Sequence, residues 1–325
     1  MPVSEQINRQ DLLRGSGGAV RHEMSLGRYL RNNWILYVMM LPGLLNLLIF
    51  KYAPMFGIVV AFQKYSPKLG YFGSEWVGLK HFITFFNDPF CWRLIRNTFL
   101  LGIYNLIFSF PAPILMALML NEVRYGRAKR IFQTISYMPH FLSMVVVVGL
   151  AKEMFSVTDG TVNMVREALG MEALNFFSMP SAFRSLYIGT GIWQGVGYSS
   201  IIYLAAIAGI NTEMYESAVL DGANRWHQIW YITLPSILPT VAILFIMSVG
   251  GIVGNDMQKI LLMYTPRIYE TADVISTYVY RNGLENASGN MSYSSAVGLL
   301  SNVVALLFLL ITNFVAKKAG DISLF

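Results

Sequence analysis

Residues 211–239 read NTEMYESAVLDGANRWHQIWYITLPSILP and form a polar segment between two long apolar runs. Asn211 or Thr212 can cap a helix, and Glu213 places an acid in the first turn, where the helix dipole favours it. We expect a short helix from about Glu213 to Asp221. It ends at Gly222, because a glycine adopts the left-handed conformation of a C-cap at little cost.

The second half of this segment predicts another helical piece, followed by a membrane-spanning helix. Large apolar side chains recur at helical spacing, at Trp226, Ile229, Trp230 and Ile232. Leu234-Pro235 is expected to begin the next apolar run, because a proline in a first turn loses no helix hydrogen bond. The polar connection is therefore predicted over residues 211–235.

The whole chain has the composition of an integral membrane protein. Of its 325 residues, 55% are apolar and 13% are charged, whereas soluble domains carry about 25% charged residues. Six apolar runs are each close to the ~20 residues that cross a bilayer: 34–50, 98–120, 131–151, 184–209, 235–254 and 294–315. We expect an all-α membrane domain of six transmembrane helices over residues 34–318, between an N-terminal tail, 1–33, and a C-terminal tail, 319–325.

Basic residues in the short connections predict the orientation of these helices, because Lys and Arg concentrate on the cytoplasmic side. They occur in the N-terminal tail, after the second run and near the C-terminus: Arg9, Arg14, Arg21, Arg28, Arg31, Arg124, Arg127, Lys129, Arg130, Lys317 and Lys318. Both termini and the segment 211–235 are therefore expected on the cytoplasmic side. Lys51, where the first run continues toward Phe62, is placed near a helix end at the outer interface, where a lysine can reach water.

Several kinds of chemistry are excluded by the absence of their motifs. The sequence contains no phosphate-binding G-x-x-x-x-G-K-[ST] loop, and its one cysteine, Cys91, cannot form an internal disulfide. Its four histidines are not at metal-ligand spacing, and its net charge of +6 is not gathered on one soluble face, as nucleic-acid binding would require. We expect no catalytic residue, no metal site, no cofactor of its own and no nucleic-acid partner.

The fourth apolar run carries polar and aromatic side chains that are unusual inside a membrane, namely Trp193, Gln194, Tyr198, Ser199 and Ser200. Such groups usually face the bundle interior or a water-filled cavity, and aromatic faces with amide and hydroxyl groups suit a sugar ring. They are predicted to line a substrate pathway, with helix-to-helix hydrogen bonding as the alternative. Gly191 and Gly195 form a G-x-x-x-G pair, which predicts close packing against another helix, with a hinge as the alternative.

Prolines and isolated polar groups mark the second and third runs. Pro111, Pro113 and Pro139 are expected to kink these helices, as static bends or as hinges. His140 and Asn105 are equally compatible with packing and with a place in the pathway. Farther along, residues 278–280 are predicted to belong to an amphipathic stretch that lies flat on the membrane surface.

The polar segment also resembles a known motif, the EAA loop of permease subunits in binding-protein-dependent ABC importers. The resemblance is carried by Glu216-Ser217-Ala218, Asp221-Gly222-Ala223, Ile229, Ile232 and Leu234-Pro235. Ser217 replaces the usual alanine and Ile229 a common phenylalanine, and these changes keep the size class or the polarity of the face. The alternative is an ordinary amphipathic helix at a membrane surface.

The resemblance extends over nearly the whole chain after about Trp34, to the polysaccharide-type (LplB-like) sugar permeases, the first permease of an alginate importer among them. It is carried by stretches such as SYMPHFLSMVVV at 136–147, LLMYTP at 261–266 and ETADVISTYVYR at 270–281. It implies the fold of a type I ABC importer permease in the bacterial cytoplasmic (inner) membrane. It also implies a heterodimer with a second permease, two copies of an ATPase that binds ATP and Mg, an extracytoplasmic solute-binding protein, and an oligosaccharide substrate.

The same resemblance assigns an ATPase-coupling role to nine residues of the loop: Glu213, Tyr215, Glu216, Ser217, Ala218, Asp221, Gly222, Ala223 and Arg225. Glu216 is expected to meet a basic residue on the ATPase surface. Asp221 is expected either to hold the bend at Gly222 or to be a plain turn residue.

One departure from the family bears on the substrate. Met257-Gln258-Lys259 stands where the family often has phenylalanine, glutamate and glutamine, so that a base replaces an acid near the outer end of the fifth run. Asn255 and Lys259 are placed in the substrate pathway, and an acidic oligosaccharide such as alginate is indicated. The alternative is that Lys259 pairs with Asp256 or with a lipid phosphate.

The rival function is that of a secondary transporter or channel subunit for a small polar solute. Such proteins use carboxylate relays or inverted repeats inside the membrane. The apolar runs contain almost no Asp or Glu, and no repeat is visible. A membrane-anchored scaffold without a transport role is a third possibility, and the polar groups of the fourth run argue against it.

Overall fold

The computed structural model describes residues 31–285 and 290–320. The chain divides into two compact units, Met1–Phe56 and Gly57–Phe325. The helices are α1 Trp34–Phe62, α2 Gly70–Gly73, α3 Lys80–Phe86, α4 Cys91–Glu122, α5 Gly126–Phe141, α6 Met144–Met154, α7 Thr161–Ala168, α8 Pro180–Ala208, α9 Thr212–Leu220, α10 Arg225–Gly250, α11 Met257–Met263, α12 Tyr269–Ala272, α13 Ile275–Tyr280 and α14 Met291–Gly320. Two short strands, β1 Gln63–Lys64 and β2 Glu75–Trp76, pair antiparallel with Gln63 opposite Trp76.

Five of the described helices are long and apolar enough to cross a membrane, namely α1, α4, α8, α10 and α14. The consecutive helices α5 and α6 are bent by 104° at a short break, and they make a sixth span if they are counted together. The third apolar run was expected to be one kinked helix and is instead two. Pro139 lies in the 3₁₀ turn that ends α5, and Ser143 caps α6 with its Oγ atom, 3.4 Å from the Val146 backbone nitrogen.

Two other prolines lie inside long helices instead of at their ends. Pro111 and Pro235 each follow a π turn, Asn105–Ser109 in α4 and Ile229–Thr233 in α10. A wide π turn accommodates the missing N–H and the bulk of the ring that would otherwise break the helix ladder. Leu234 begins the α-helical part of α10 with Pro235 in its first turn, as expected, whereas the continuous helix that carries this span already starts at Arg225. Asn224 caps that start, with its Oδ1 accepting the His227 backbone N–H at 2.9 Å.

The placement of Lys51 at a helix end is also wrong. Lys51 belongs to the π turn Leu48–Tyr52, and the helix continues as a 3₁₀ segment, Ala53–Phe62. The lysine therefore lies inside this helix, near the change from the π turn to the 3₁₀ segment of 10 residues.

The core of the second unit is built around α8, a helix of 29 residues. One buried cluster joins α8 to α4, α6 and α11 through side chains such as Phe183, Leu101, Val148 and Ile260. A cluster at the other end of α8 joins it to α4 and α10 through Tyr203, Ile207, Ala117 and Ile237. Because α8 contacts so many of its neighbours, the groups it carries are held in place by packing.

Helix α13 does not lie flat on a surface. Its residues Ile275 and Tyr278 are buried in a cluster with Phe85, Cys91 and Tyr293. The Tyr278 hydroxyl also donates to a carboxylate oxygen of Asp88. The prediction of a surface-lying stretch at residues 278–280 is therefore wrong, because the apolar face of this helix packs against α3, α4 and α14 instead of against lipid.

A buried polar cluster fixes the segment before α13 to α4. The Asp273 carboxylate is fully buried, 2.7 Å from the Arg281 Nη2 atom and 3.7 Å from the Arg93 Nη2 atom. Thr277 donates to the same carboxylate at 2.9 Å. The Asn97 amide donates to the Asp273 backbone carbonyl at 3.0 Å. A buried carboxylate is tolerated when it is paired and hydrogen-bonded in this way.

Candidate functional site

The turn after α9 has the geometry that the sequence predicts. The Asn211 Oδ1 atom accepts the Glu213 backbone N–H at 3.0 Å and caps the helix. Gly222 has a φ of +80°, and the Ala223 backbone N–H donates back to the Ala218 carbonyl at 2.8 Å. These backbone bonds hold the bend, as in a Schellman C-cap. The Asp221 side chain makes no hydrogen bond to another described residue, which corresponds to its interpretation as a plain turn residue.

Side chains brace α9 against the start of α10. The hydroxyls of Tyr215 and Thr233 lie 2.9 Å apart, and Thr233 also donates to the Gln228 carbonyl at 3.3 Å, inside the π turn. The Gln228 amide donates to the Ala223 carbonyl at 3.2 Å. Helix α9 is therefore tied to a membrane-spanning helix through both its side chains and its C-terminal turn.

A groove of about 630 Å³ separates α9 from the end of α4. An ion pair of 3.5 Å between Arg225 and Glu122 lies across it. Its lining combines three acids or bases with apolar and amide side chains: Asn121, Glu122, Tyr215, Glu216, Val219, Leu220, Arg225, Gln228 and Thr233. Helix α9 also exposes Met214, Val219 and Leu220, the last at 88%. An exposed apolar face flanked by acids is the kind of surface that a protein partner covers.

The nine residues assigned to coupling fall into two groups. Tyr215, Glu216 and Arg225 meet in the groove. Outside it, Ala218 and Ala223 are half-buried at the turn, whereas the remaining four are exposed on the outer face of α9 and its turn: Glu213, Ser217, Asp221 and Gly222. Six residues outside the coupling set complete the groove: Asn121, Glu122, Val219, Leu220, Gln228 and Thr233. They come from other parts of the chain or from positions that the motif leaves free.

A second concave site lies between α4, α8, α10 and the turn that follows α10. It is a cavity of about 560 Å³. Its polar lining includes Asn105, Tyr187, Tyr198, Ser199, Asn255 and Asp256. The Asn255 amide donates to the Thr98 carbonyl at 3.2 Å, and the Asp256 backbone N–H donates to the Tyr187 hydroxyl at 3.0 Å. The lining thus offers hydroxyls, amides and aromatic edges between helices that are otherwise apolar.

The structure brings together only some of the predicted pathway residues. Tyr198, Ser199 and Asn255 line this cavity, whereas Trp193, Gln194, Ser200 and Lys259 do not. The Gln194 amide donates to the Leu142 carbonyl at 3.0 Å, across the helix interface. The buried Ser200 hydroxyl donates to the Gly197 carbonyl at 2.6 Å. The contact of Gln194 corresponds to the alternative of helix-to-helix hydrogen bonding, whereas Ser200 bonds within α8 itself.

Lys259 is buried instead of forming a charged mouth. Its side chain is 3% exposed, and its Nζ atom donates to the Tyr187 carbonyl at 2.6 Å and lies 4.6 Å from the centre of the Tyr187 ring. Burial lowers the pKa of Lys259 to about 8. The Asp256 carboxylate accepts the backbone N–H of Lys259 at 3.0 Å, and no ion pair joins the two side chains in the described part of the chain.

This position of Lys259 depends on a glycine 68 residues earlier in the chain. A Cβ atom at Gly191 would lie 2.9 Å from the Lys259 Nζ atom. Gly191 thus makes room for an amine, and Gly195 has open space around it. The close helix approach is made at Gly197, where a Cβ atom would lie 2.1 Å from the Ser136 carbonyl oxygen of α5. The expected packing role of the Gly191–Gly195 pair is therefore wrong.

His140 and Asn105 were left open by the sequence. The His140 ring stacks on Tyr198 with centroids 3.9 Å apart and parallel planes, at the break between α5 and α6. Asn105 lines the cavity, in the π turn of α4. The sequence did not single out Tyr187 as a cavity residue. A tyrosine in a membrane-spanning run at the same helical face as other polar groups is the signal that could have found it.

Five or six candidate membrane spans, a polar loop helix between two of them and a polar cavity between helices are the features of a membrane transport subunit. Residues 109–320 match the family described as binding-protein-dependent transport system inner membrane component, and the chain belongs to this family. The chain is 45% identical over 286 residues to the polygalacturonan/rhamnogalacturonan transport system permease protein YteP of Bacillus subtilis (strain 168), covering 88% of each chain. It is 42% identical over 295 residues to protein LplB of the same organism, covering 91% of this chain and 92% of LplB.

A solved structure shows the same fold. The chain superposes with a TM-score of 0.84 and 42% identity on a chain of a bacterial ABC transporter involved in the import of the acidic polysaccharide alginate, covering 91% of this chain and 100% of that one. The predicted family and the all-α permease fold are thereby confirmed, as is the expected inner-membrane class. The expectation that the chain is not an enzyme agrees with its membership of a family of ABC permease subunits.

Proposed function

We propose that the chain is the permease subunit of an ATP-driven importer of acidic oligosaccharides, built from uronic acids. Two of its relatives support this substrate class. One relative is a transport system permease for polygalacturonan and rhamnogalacturonan, and the structural neighbour belongs to an importer of the acidic polysaccharide alginate. All three polymers carry carboxylates on sugar rings.

The observation that carries the proposal is the cavity of about 560 Å³ in the bundle. Polar groups between membrane helices usually mark a solute pathway. The aromatic Tyr198, the hydroxyl of Ser199 and the amide of Asn255 are suited to the apolar faces and hydroxyl rim of a sugar. Because an open-sided cavity needs a second wall, this chain supplies half of the pathway and a second permease, as a heterodimer partner, supplies the other half.

The groove at α9 is the proposed contact for one of two ATPase subunits, which bind the ATP and Mg. Its exposed acid, Glu216, would meet a basic residue there, and the apolar Val219 and Leu220 would be covered by the same partner. This arrangement requires α9 and both termini to be on the cytoplasmic side. The opposite end would receive sugar from an extracytoplasmic solute-binding protein, as the family name requires of its members.

The test is sugar-stimulated ATP hydrolysis by the complete importer in proteoliposomes, with the solute-binding protein supplied inside or outside as orientation requires. Trigalacturonate, an alginate trisaccharide and neutral maltotriose are compared. We expect stimulation by the acidic sugars and little by maltotriose. Stimulation by maltotriose alone, or by no sugar, would contradict the acidic substrate class. Sugar uptake by this chain without any ATPase would favour the rival secondary transporter.

A further inference from the structure

A third pocket lies beside α8. It encloses about 570 Å³ between α4 and α8. Its lining joins one cation, aromatic rings and two hydroxyls: Arg184, Tyr104, Phe108, Ser181 and Ser185. None of these residues lines the cavity described above.

Arg184 is a cation without a counterion in the described part of the chain. Its Nη2 atom donates to the Asn97 Oδ1 atom at 3.2 Å, whereas its buried Nε atom has no acceptor. No described carboxylate lies within 4.0 Å of its guanidinium. The neighbouring arginines Arg93 and Arg281 differ in this respect, because both pair with Asp273.

Asn97 holds this guanidinium in place. Its amide nitrogen donates to the carbonyls of Glu270 and Asp273, at 2.8 and 3.0 Å, so its Oδ1 atom must point toward Arg184. Asn97 is fully buried and cannot turn away to solvent. A half-buried, oriented guanidinium with free donors is costly in a membrane-spanning helix unless an anion reaches it.

The other side chains that line the pocket indicate the chemical class of the anion. The Arg184 guanidinium carbon lies 5.9 Å from the Tyr104 ring centre, and Ser181 and Ser185 stand one helical turn apart on the same face. A uronic acid unit offers a carboxylate for the planar fork of an arginine, an apolar ring face for an aromatic side chain, and hydroxyls for serines.

The pocket and the cavity are both lined by residues of α8, and one residue of each points in the same direction. Ser181 lines the pocket and Ser199 lines the cavity. These residues are separated by about five helical turns, so they point in the same direction, about 27 Å apart. A chain of several sugar units could therefore contact both sites in sequence along α8.

We propose that this pocket is a subsite for one uronate unit of the substrate, in which Arg184 binds the carboxylate and determines the preference for acidic sugars. The proposal rests on the proposed function and extends it to a named residue. According to this proposal, Arg184, and not the buried Lys259, interacts with the charge of the substrate.

The test compares trigalacturonate with its methyl ester, which has the same length and no charge, on the complete importer in proteoliposomes. In the variant Arg184→Gln, we expect the trigalacturonate concentration that gives half-maximal stimulation of ATP hydrolysis to rise by about tenfold or more. This is the effect expected from the loss of one charge-assisted hydrogen-bond pair. The response to the methyl ester should change by less than about twofold, within the effect of one weak contact. Arg184→Lys should fall between wild type and Arg184→Gln, because it keeps the charge and loses the fork.

The matched control is Arg96→Gln, which removes the same charge from an exposed position on α4. It should leave both responses unchanged. Equal loss for the acidic and methylated sugars in Arg184→Gln, or a fall in complex yield, would overturn the proposal and indicate that Arg184 pairs with the second permease. An unchanged trigalacturonate response would also overturn it. If wild type responds to neither sugar, the proposed function itself fails, and this subsite fails with it.

Discussion

The hydroxyl of Tyr215 on α9 lies 2.9 Å from the hydroxyl of Thr233 on α10. The contact joins the helix that faces a proposed ATPase to the π turn of a membrane-spanning helix. Because Thr233 is buried and also bonds to the Gln228 carbonyl, α9 is joined to α10 without a flexible linker. The proposed coupling path consists of this side-chain bond and the helix that starts at Arg225.

The first prediction concerns this bond. Tyr215→Phe removes the hydroxyl and keeps the ring, so membrane insertion should be unaffected. A hydrogen bond of this kind contributes about 0.5–1.5 kcal/mol, and we expect the amount of sugar imported per ATP hydrolysed to fall by about twofold to tenfold. The control is Tyr231→Phe, on the 76%-exposed Tyr231 of the same turn, whose hydroxyl has no described partner. An effect of equal size in both variants would argue against a specific role of the Tyr215–Thr233 contact.

The second prediction concerns the bend after α9. Gly222 has a φ of +80° and a backbone N–H that donates to the Val219 carbonyl at 3.0 Å. A proline cannot take this positive φ and has no N–H to donate. Gly222→Pro should therefore reduce transport by roughly tenfold or more, while membrane insertion stays normal. Gly222→Ala should be milder, at a cost of about 1–2 kcal/mol, because the left-handed conformation is its only penalty and a Cβ atom there meets nothing within 4 Å.

Gly209→Ala is the matched control for the bend, because its φ is −83° and a Cβ atom would keep an ordinary 3.5 Å from the nearest carbonyl oxygen. It should transport at the wild-type rate. Wild-type transport by Gly222→Pro would show that the shape of this turn is not needed for coupling.

The third prediction separates two glycines on α8. A Cβ atom at Gly197 would press on the Ser136 carbonyl, whereas one at Gly195 would enter open space. Gly197→Ala should therefore lower the thermal unfolding midpoint in detergent, at a cost of about 1–3 kcal/mol for overpacking. Gly195→Ala should leave the midpoint within error of wild type. A larger effect at Gly195 would show that the G-x-x-x-G pair, and not Gly197, makes the helix contact.

The fourth prediction concerns the pH dependence of stability. Burial lowers the pKa of Lys259 from 10.5 to about 8. Between these two values the unfolded chain binds more protons than the folded one, so the folded state gains stability as the pH rises. Below about pH 8 the amine is charged in both states and the full penalty of burying it is present.

The measurement is the thermal midpoint of wild type and Lys259→Met between pH 7 and pH 10. The free energy of unfolding of wild type should rise relative to Lys259→Met across this range, by up to ~3 kcal/mol. A flat difference between the two proteins would mean that Lys259 titrates at an ordinary pKa.

Local features of the coupling loop could be predicted from sequence, whereas features that depend on distant residues could not. The cap at Asn211 and the left-handed Gly222 follow from their own neighbours, and both were predicted. The start of α10 was missed, because Pro235 suggested a first turn and a π turn cannot be read from apolar spacing. The burial of Lys259 depends on Gly191 and on the Tyr187 carbonyl of another helix. A base near the end of an apolar run gives no sign of such a partner.

For the substrate pathway, too, only the local features could be predicted from the sequence. Tyr198 and Ser199 could be selected because polar groups are rare in a membrane-spanning run. Which of their neighbours shares the cavity depends on the rotation of α8, because consecutive residues such as Ser199, in the cavity, and Ser200, which is buried, differ by about 100° around the helix axis. In the sequence, Arg184 marks only the start of the fourth apolar run. That it lacks a counterion follows from the structure, in which the nearby Asp273 pairs with Arg93 and Arg281 instead.

The measurement that tests the central claim most directly is uptake of radiolabelled trigalacturonate by proteoliposomes that contain the complete importer. Wild type should accumulate the sugar only when ATP is supplied to the cytoplasmic face. The variant Glu216→Ala should insert and assemble with the second permease, yet lose most of this uptake, because Glu216 lies in the groove proposed to contact the ATPase. Accumulation without ATP, or full uptake by Glu216→Ala, would contradict the account of this chain as an ATP-coupled permease that is driven through α9.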